Sequence, residues 1–551
     1  MAVAAASALV YTLAVPNELL AEGSLVLAAV ALAGYFAALA AAESCREARR
    51  IGMLFGGLST LLSNYWLMFF GDFSVWTIGG VTLGYTIYHA LLGPILRRVW
   101  QNPPAWRALA LGAVWAAYEY LKSIGFLAYP WGLISYPAAR SLILIQHVDI
   151  TGVWALSFVL AAINALIAEF MLPALRAAPE SSPGAAYACA MRQLLWLGLI
   201  VTLMAGYGAV RLRTPIEAVD SVRMILVQQN VNAWQRGREE DALRTAQSLT
   251  RRALAEAEES SVDLVVWSET SLRRPYPENR AFFRATPHDD PFERFMADLD
   301  VPLLTGAPFI ADYDQWEVYN AAIMIDPHGE LVEFYGKQHL VPFAESIPFW
   351  HITAVRRFFQ DAVGLYGVWS VAPDYRIFSL PRSAQRNGMP RPLTFGAPIC
   401  FEDAFAYLAR GFVLSGADLL INLTDNSWSA TNSAQYQHFV AARFRPVETR
   451  RTLVRSTNSG LTGVLDAHGR VIARLPMFEQ ATLTVDVPVY RQSALTVYTV
   501  WGDYLPQLFL VFWIVLVFAQ AARDGFLQPA RHIRGSANQT SGSIERGRTI
   551  E

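Results

Sequence analysis

The stretch Thr394-Phe395-Gly396-Ala397-Pro398-Ile399-Cys400-Phe401-Glu402-Asp403 reads as a buried strand that ends abruptly. One thiol stands at its end, and two acids stand just beyond. Alone this says little, because a free cysteine in an apolar run commonly packs as a small hydrophobe. Two other stretches change its meaning. Val265-Val266-Trp267-Ser268-Glu269 ends a strand in a carboxylate, and Tyr335-Gly336-Lys337-Gln338-His339-Leu340-Val341-Pro342-Phe343 carries an amine just past a hairpin. A thiol, a carboxylate and an amine, each at a strand end, can converge on one side of a sheet.

The bulk composition narrows the classes. Of 551 residues 54% are hydrophobic and only 16% charged, which is too apolar for an ordinary soluble chain of this length. The formal net charge of -2 leaves no nucleic-acid footprint. The three cysteines, Cys45, Cys189 and Cys400, form neither a CxxC pair nor a Cys/His group at metal spacing. A G-x-S-x-G elbow, a phosphate loop and a dinucleotide fingerprint are also missing. No metal and no cofactor is expected.

The apolar residues crowd into the first two hundred or so positions and a short stretch near the end. Candidate membrane spans are 2–15, 24–42, 51–70, 76–96, 108–120, 150–172, 194–210 and 498–521. Each is expected to be helical, since a helix satisfies its own backbone in hydrocarbon. The first lacks the positive n-region of a signal peptide. Arg46, Arg49, Arg50, Arg97, Arg98, Arg107, Arg176, Arg192, Arg523, Arg531 and Arg534 fall in alternate loops, and Glu18, Glu22 and Asp72 in the others. The positive-inside bias then puts both termini in the cytoplasm. The expected organisation is about seven spans in 1–212, an extracytoplasmic domain in 213–497, an eighth helix in 498–522 and a polar, disordered tail in 523–551. Cys400 becomes a lone thiol in an oxidising compartment. Near the spans, Glu119-Tyr120-Leu121-Lys122 with Tyr129-Pro130-Trp131-Gly132, and Asn64-Tyr65-Trp66, are polar enough to mark function.

The outer domain alternates strand and helix. Strands are expected at 222–228, 264–267, 302–308, 321–325, 330–334, 393–400, 418–423, 453–457 and 463–474, the last bent into a hairpin at Asp466-Ala467-His468-Gly469. Helices are expected at 239–259, 404–415 and 435–451. Two strand-rich layers then lie between helices. Between Pro348 and Trp369, the residues Phe349, Trp350, Ile352, Phe358, Phe359, Leu365 and Tyr366 suggest an apolar lid that touches the bilayer.

A thiol becomes a nucleophile when a base takes its proton and a cation steadies the charge that forms. Glu269, Lys337 and Cys400 supply these roles. W-x-E, G-K-x-H-L-V-P-F-x-E and C-x-E, in this order, resemble the nitrilase (carbon–nitrogen hydrolase) superfamily, whose triad is Glu-Lys-Cys. The flanking spans resemble the membrane-embedded apolipoprotein N-acyltransferases within it. Tyr129-Pro130-Trp131-Gly132, Val227-Gln228-Gln229-Asn230 with Trp234, Gln435-Tyr436-Gln437-His438-Phe439 and Arg455-Ser456-Thr457-Asn458-Ser459-Gly460 share the likeness.

The resemblance implies a helical transmembrane bundle of about eight spans plus an extracytoplasmic α-β-β-α sandwich domain. It implies ping-pong transfer of an acyl chain through a Cys400 thioester, with Glu269 as base and Lys337 at the oxyanion. The donor would be a phospholipid, with phosphatidylethanolamine expected, and the acceptor the N-terminal diacylglyceryl-cysteine of an apolipoprotein. The location would be the bacterial cytoplasmic (inner) membrane, with the reaction on the periplasmic side. By position Glu345 matches a second acid, Trp234 a functional tryptophan and Glu402 the acid two after the nucleophile, while Phe401 and Trp350 support the site. The sequence departs from the family where Phe401 replaces a tyrosine. It also reads Asp425-Asn426-Ser427-Trp428-Ser429 where Asn-Asp-x-Trp-Phe-Gly is usual. Three other readings stay open: a membrane-tethered amidase, a non-catalytic domain, and a Cys–His pair using His339 or His438.

Overall fold

Strands rich in Val, Ile and Leu with no polar alternation require cover on both faces. A computed structural model describes the chain except residues 72–73, 104, 176–182, 233–234, 236, 258–261, 365–366, 381–391, 492–493 and 528–551. Its strands are β1 (Asp220–Gln228), β2 (Leu264–Val266), β3 (Leu303–Asp312), β4 (Glu317–Ile325), β5 (Leu331–Gly336), β6 (Phe378–Leu380), β7 (Leu393–Gly396), β8 (Leu419–Thr424), β9 (Thr452–Thr457), β10 (Gly463–Leu465), β11 (Val471–Arg474) and β12 (Ala481–Val489). They form two six-stranded sheets, ordered β12-β1-β2-β3-β4-β5 and β11-β10-β9-β8-β7-β6. The centres are parallel, β1-β2-β3 and β7-β8-β9, and the edges antiparallel.

Alternation along each strand builds the layers. Met224 and Leu226 of β1 point into the core shared with Phe395, Leu419 and Ile421 of the other sheet. Ile225 and Val227 point the other way, onto the helix Glu239–Glu256 through Leu243, Ala246 and Leu249. The helix Ala406–Leu414 covers the second sheet through Ala409 and Phe412. The expected helix–sheet–sheet–helix order is therefore present.

Four local expectations change. β7 stops at Gly396 rather than running to Cys400; Pro398 has no N–H to extend the ladder. Ile399 makes only an isolated bridge to Leu423, and Cys400–Ala404 turns as a 3₁₀ helix. β12 was not expected, because Asp486 and Pro488 interrupt its apolar pattern; it pairs with β1 residue for residue as an edge strand, where proline is tolerated. β6 is a second unexpected edge strand. The helix expected at 435–451 divides into Asn432–Ala442 and Phe444–Thr449.

Of the expected spans, Trp154–Leu172 and Ala188–Arg213 are, among the described residues, the helices long and apolar enough to cross a membrane. The segment expected at 24–42 is two pieces, Leu25–Ala28 and Ala33–Ala41. The one at 51–70 leaves its α-helix at Ser63 and continues as the 3₁₀ turn Tyr65–Phe69. The one at 150–172 starts at Trp154, past Gly152 at φ 60°. The expected tail lies almost wholly outside the described residues.

Polar side chains join the helices to the sheets. Arg450, 0% exposed, donates to Asp149 at 2.6 and 3.0 Å, and Asp149 also meets Arg211 at 3.4 Å. Gln437 donates to the carbonyls of Pro16 and Ser63 and accepts from the indole of Trp66. A buried guanidinium stripped of its carboxylate keeps its desolvation cost. Asp149→Leu is therefore expected to destabilise the protein by about 3–5 kcal/mol, read as a lowered thermal midpoint in detergent.

Candidate active site

Each chain crossing ends its strand on one edge. After β2, the Trp267 indole donates to Thr250 at 2.9 Å, fixing the strand's exit. Glu269 follows, and Thr270 turns the chain away at φ 55°. β3 passes so close that only a glycine fits: a Cβ on Gly306 would lie 2.6 Å from the Glu269 Cα and 2.4 Å from the Thr270 nitrogen. β4 contributes Asn320, and β5 ends just before Lys337.

Lys337 is wholly buried. Its ammonium donates to Glu345 Oε1 at 2.9 Å and to Glu269 Oε1 at 3.4 Å. Asn320 Nδ2 donates to both acids, at 2.9 Å to Glu269 and 3.0 Å to Glu345. The backbone N–H of Asp425 donates to the second oxygen of Glu269 at 2.8 Å, and that of Val341 to the second oxygen of Glu345 at 2.8 Å. Burial opposes the charge on Lys337, but Glu345, Glu269 and Cys400 outweigh it and raise its pKa. Burial likewise raises Glu269, with Lys337 pulling the other way.

Cys400 faces this group from the second sheet at φ 54°, a left-handed backbone. Burial pushes its thiol well above the ordinary range; Glu269 raises it further, by charge and as a hydrogen-bond acceptor, and Lys337 lowers it. Glu402, two residues on, accepts from the Ile399 N–H at 2.8 Å, the Gln338 N–H at 2.8 Å, the His339 N–H at 3.0 Å and the Tyr335 hydroxyl at 3.0 Å. It thereby ties the cysteine loop to the lysine loop, and burial lifts its pKa to about 7.

The other expected residues scatter. Phe401 packs in a ring cluster with Trp131, His339 and Phe405, at 5.3, 5.5 and 4.8 Å between centroids. Trp350 sits half-buried in the loop after Lys337, and Trp234 lies outside the described residues. Neither histidine hydrogen-bonds the thiol. His339 Nδ1 meets the Tyr407 hydroxyl at 2.6 Å, and His438 Nε2 meets Asp403 at 2.7 Å and the Cys400 carbonyl at 3.2 Å. Among the described residues no cluster of acids, histidines and cysteines could hold a metal ion. Asn320 and Tyr335 were not singled out from sequence, and Asp403 was noted there only as an acid beyond the thiol. The signal available for Asn320 was one amide directly before the apolar run 321–325.

Residues 226–494 match the carbon-nitrogen hydrolase family, and residues 7–166 match the apolipoprotein N-acyltransferase N-terminal domain. A Treponema denticola protein named apolipoprotein N-acyltransferase 2 is 37% identical over 94% of this chain and 97% of its own. The chain belongs to the apolipoprotein N-acyltransferase family. A Treponema pallidum protein, also named apolipoprotein N-acyltransferase 2, is 35% identical over 98% of this chain and 97% of its own. Apolipoprotein N-acyltransferase of Borreliella burgdorferi is 30% identical over 95% and 96%. The resemblance read from the motifs thus extends along nearly the whole chain, helices included.

In this member of the family burial and Glu269 hold the thiol toward its protonated form, so its release calls for a nearby proton acceptor. Alkylation of Cys400 by iodoacetamide is expected to rise steadily with pH past 8.5, the usual thiol value. Glu269→Gln removes a charge that raises the thiol. It should speed alkylation several-fold at pH 8 while abolishing turnover, and the two rates together check it.

Proposed function

We propose that the protein N-acylates apolipoproteins by ping-pong transfer through a thioester on Cys400. The observation that carries this reading is the convergence of the Cys400 thiol, the Glu269 carboxylate and the buried Lys337 ammonium in a chain of this family. Cys400 sulfur attacks the ester carbonyl of a phospholipid, and its proton passes to Glu269. The Lys337 ammonium faces the oxyanion. The C–O bond breaks, the lysophospholipid leaves with the proton from Glu269, and a C–S bond remains. The α-amine of the diacylglyceryl-cysteine then attacks the thioester, Glu269 takes its proton, and the C–S bond breaks as the amide forms. Sulfur recovers the proton. Each acyl bond is activated enough for the next exchange, so no nucleotide is consumed. A Glu269 whose pKa is raised suits both directions, since it takes a proton and gives it back.

Glu345 neutralises Lys337 and Glu402 holds the two loops together. Trp234 is assigned to substrate contact by its match to the family alone. Phosphatidylethanolamine is the donor we favour. The chain crosses the bacterial cytoplasmic membrane several times, with about eight spans, both termini inside and the catalytic domain on the outer side.

The segment after Lys337 forms the lid over lipid. Phe343, Phe349, Ile352 and Phe358 are exposed, Phe349 at 66%. Phe358 touches Trp76 at 6.5 Å between ring centroids, and Phe343 touches Phe126 at 6.3 Å. Exposed rings continuous with the apolar helices suit the boundary of a bilayer. Trp350→Asp or Phe359→Asp should cut turnover of vesicle-borne donor about tenfold or more, the scale of losing one buried apolar side chain. The fold and Cys400 alkylation should stay intact, and unchanged turnover refutes the lid.

An amidase using water would share the same three groups. Incubation with phospholipid alone, followed by intact mass spectrometry, separates the two. An acyl adduct on Cys400 that persists until a lipopeptide amine arrives is the expected result, absent in Cys400→Ala. Free fatty acid accumulating without acceptor supports hydrolysis. The adduct mass also names the acyl group.

A further inference from the structure

Cys400 adopts φ 54°, which costs a non-glycine residue energy unless its surroundings fix it. The peptide on its far side is gripped through one atom. The Cys400 carbonyl accepts from Asn422 Nδ2 at 3.0 Å and meets His438 Nε2 at 3.2 Å. His438 Nε2 also lies 2.7 Å from Asp403 Oδ1. Both partners of that nitrogen are acceptors, so it carries the ring proton. Asp403 is held in turn by Arg455, itself wholly buried. Asn422 reaches the Pro398 carbonyl as well, at 3.1 Å, so the strand β8 braces the cysteine turn before and after the thiol.

A trans peptide points its C=O and N–H in opposite directions. Holding the Cys400 carbonyl from below therefore aims the Phe401 N–H the other way, out of the same peptide. A donor on the carbonyl also polarises that N–H. The His438 ring packs 5.7 Å from Trp131, so the helical domain braces the ring from its other side.

We propose that His438, backed by Asp403 and Arg455, is a positioning residue for acyl transfer: it fixes the Cys400–Phe401 peptide against a growing oxyanion without touching the thiol. This rests on Cys400 being the acylated residue. The role separates two reactions of one sulfur. Attack on an ester builds negative charge on oxygen and uses the oriented peptide. Alkylation by iodoacetamide needs only an accessible thiolate.

The test measures both in the full-length protein in phospholipid nanodiscs. His438→Phe keeps a ring against Trp131 and removes the donor; Asn422→Leu removes the other donor on the same oxygen and serves if the first fails to fold. For whichever variant folds, single-turnover thioester formation is expected to fall about 10–100-fold, below the loss for a direct oxyanion donor. Alkylation at the same pH should stay within about threefold, the context scatter expected of an untouched step. Parallel loss of both rates assigns the network to general structure and overturns the proposal, as does unchanged thioester formation. A wild-type protein with no acyl group on Cys400 would instead sink the underlying thioester reading.

Discussion

The whole site depends on one ammonium kept out of water. An isolated Lys337 at 0% exposure would lose its proton, because desolvation costs several kcal/mol per ion. Two carboxylates prevent that, and they are not equivalent. Glu345 takes the shorter contact, 2.9 Å against 3.4 Å for Glu269. The nearer acid acts more strongly on the cation, and Glu269 is the one that also acts on the Cys400 thiol. Cys400 thus faces one ammonium and a pair of carboxylates, of which Glu269 raises its thiol. Burial and Glu269 hold the thiol toward its protonated form, so the proposed mechanism couples its activation to proton transfer rather than to a standing thiolate.

That cluster sits where the two sheets meet, and carboxylates fasten the seam. Glu269 belongs to the first sheet and accepts from Asp425, which follows β8 of the second. Glu402 belongs to the second sheet and accepts from Tyr335, Gln338 and His339 of the first. Each link satisfies a buried charge and sets a distance between sheets at the same time. This explains why acids dominate the seam. Two of the three act by holding loops, and a buried carboxylate with several donors does so firmly.

What the sequence disclosed follows from how local the signals are. Glu269, Lys337 and Cys400 each stand in a short run whose own residues announce a strand end, whereas Glu345 and Glu402 came only from their match to the family by position. The central strands were legible for the same reason, being unbroken apolar runs. Asn320 and Asn422 do their work across 22 to 51 residues of chain, and no local pattern marks them. Asp403, His438 and Arg455 lie inside motifs the sequence does display, but their contacts with one another span 35 and 52 residues and cannot be read locally. β12 escaped because an edge strand tolerates polar residues and proline that a central strand rejects. The helices were legible as apolar segments but not in extent. Length in sequence did not foresee breaks at Gly152 or at residues 29–32 between the helices Leu25–Ala28 and Ala33–Ala41.

The aromatic cluster gives a physical reason for fusing a hydrolase-like sandwich to apolar helices. Trp428, Trp66, Trp131 and Phe401 form a chain of ring contacts at 5.8, 6.5 and 5.3 Å, running from the sheet loops through the helices and back beside the cysteine. Trp131 is fixed from the helical side, its carbonyl accepting from Lys122 at 2.8 Å. The wall next to the thiol is thus half built by residues far from the sandwich in sequence. Cys400 packs against the apolar cluster that holds Trp66, Trp131 and Phe401, so rings from the helices line one side of the residue. Under the proposed thioester reading, selectivity for an amine over water rests on these rings and not on Glu269, Lys337 and Cys400, which an amidase would share.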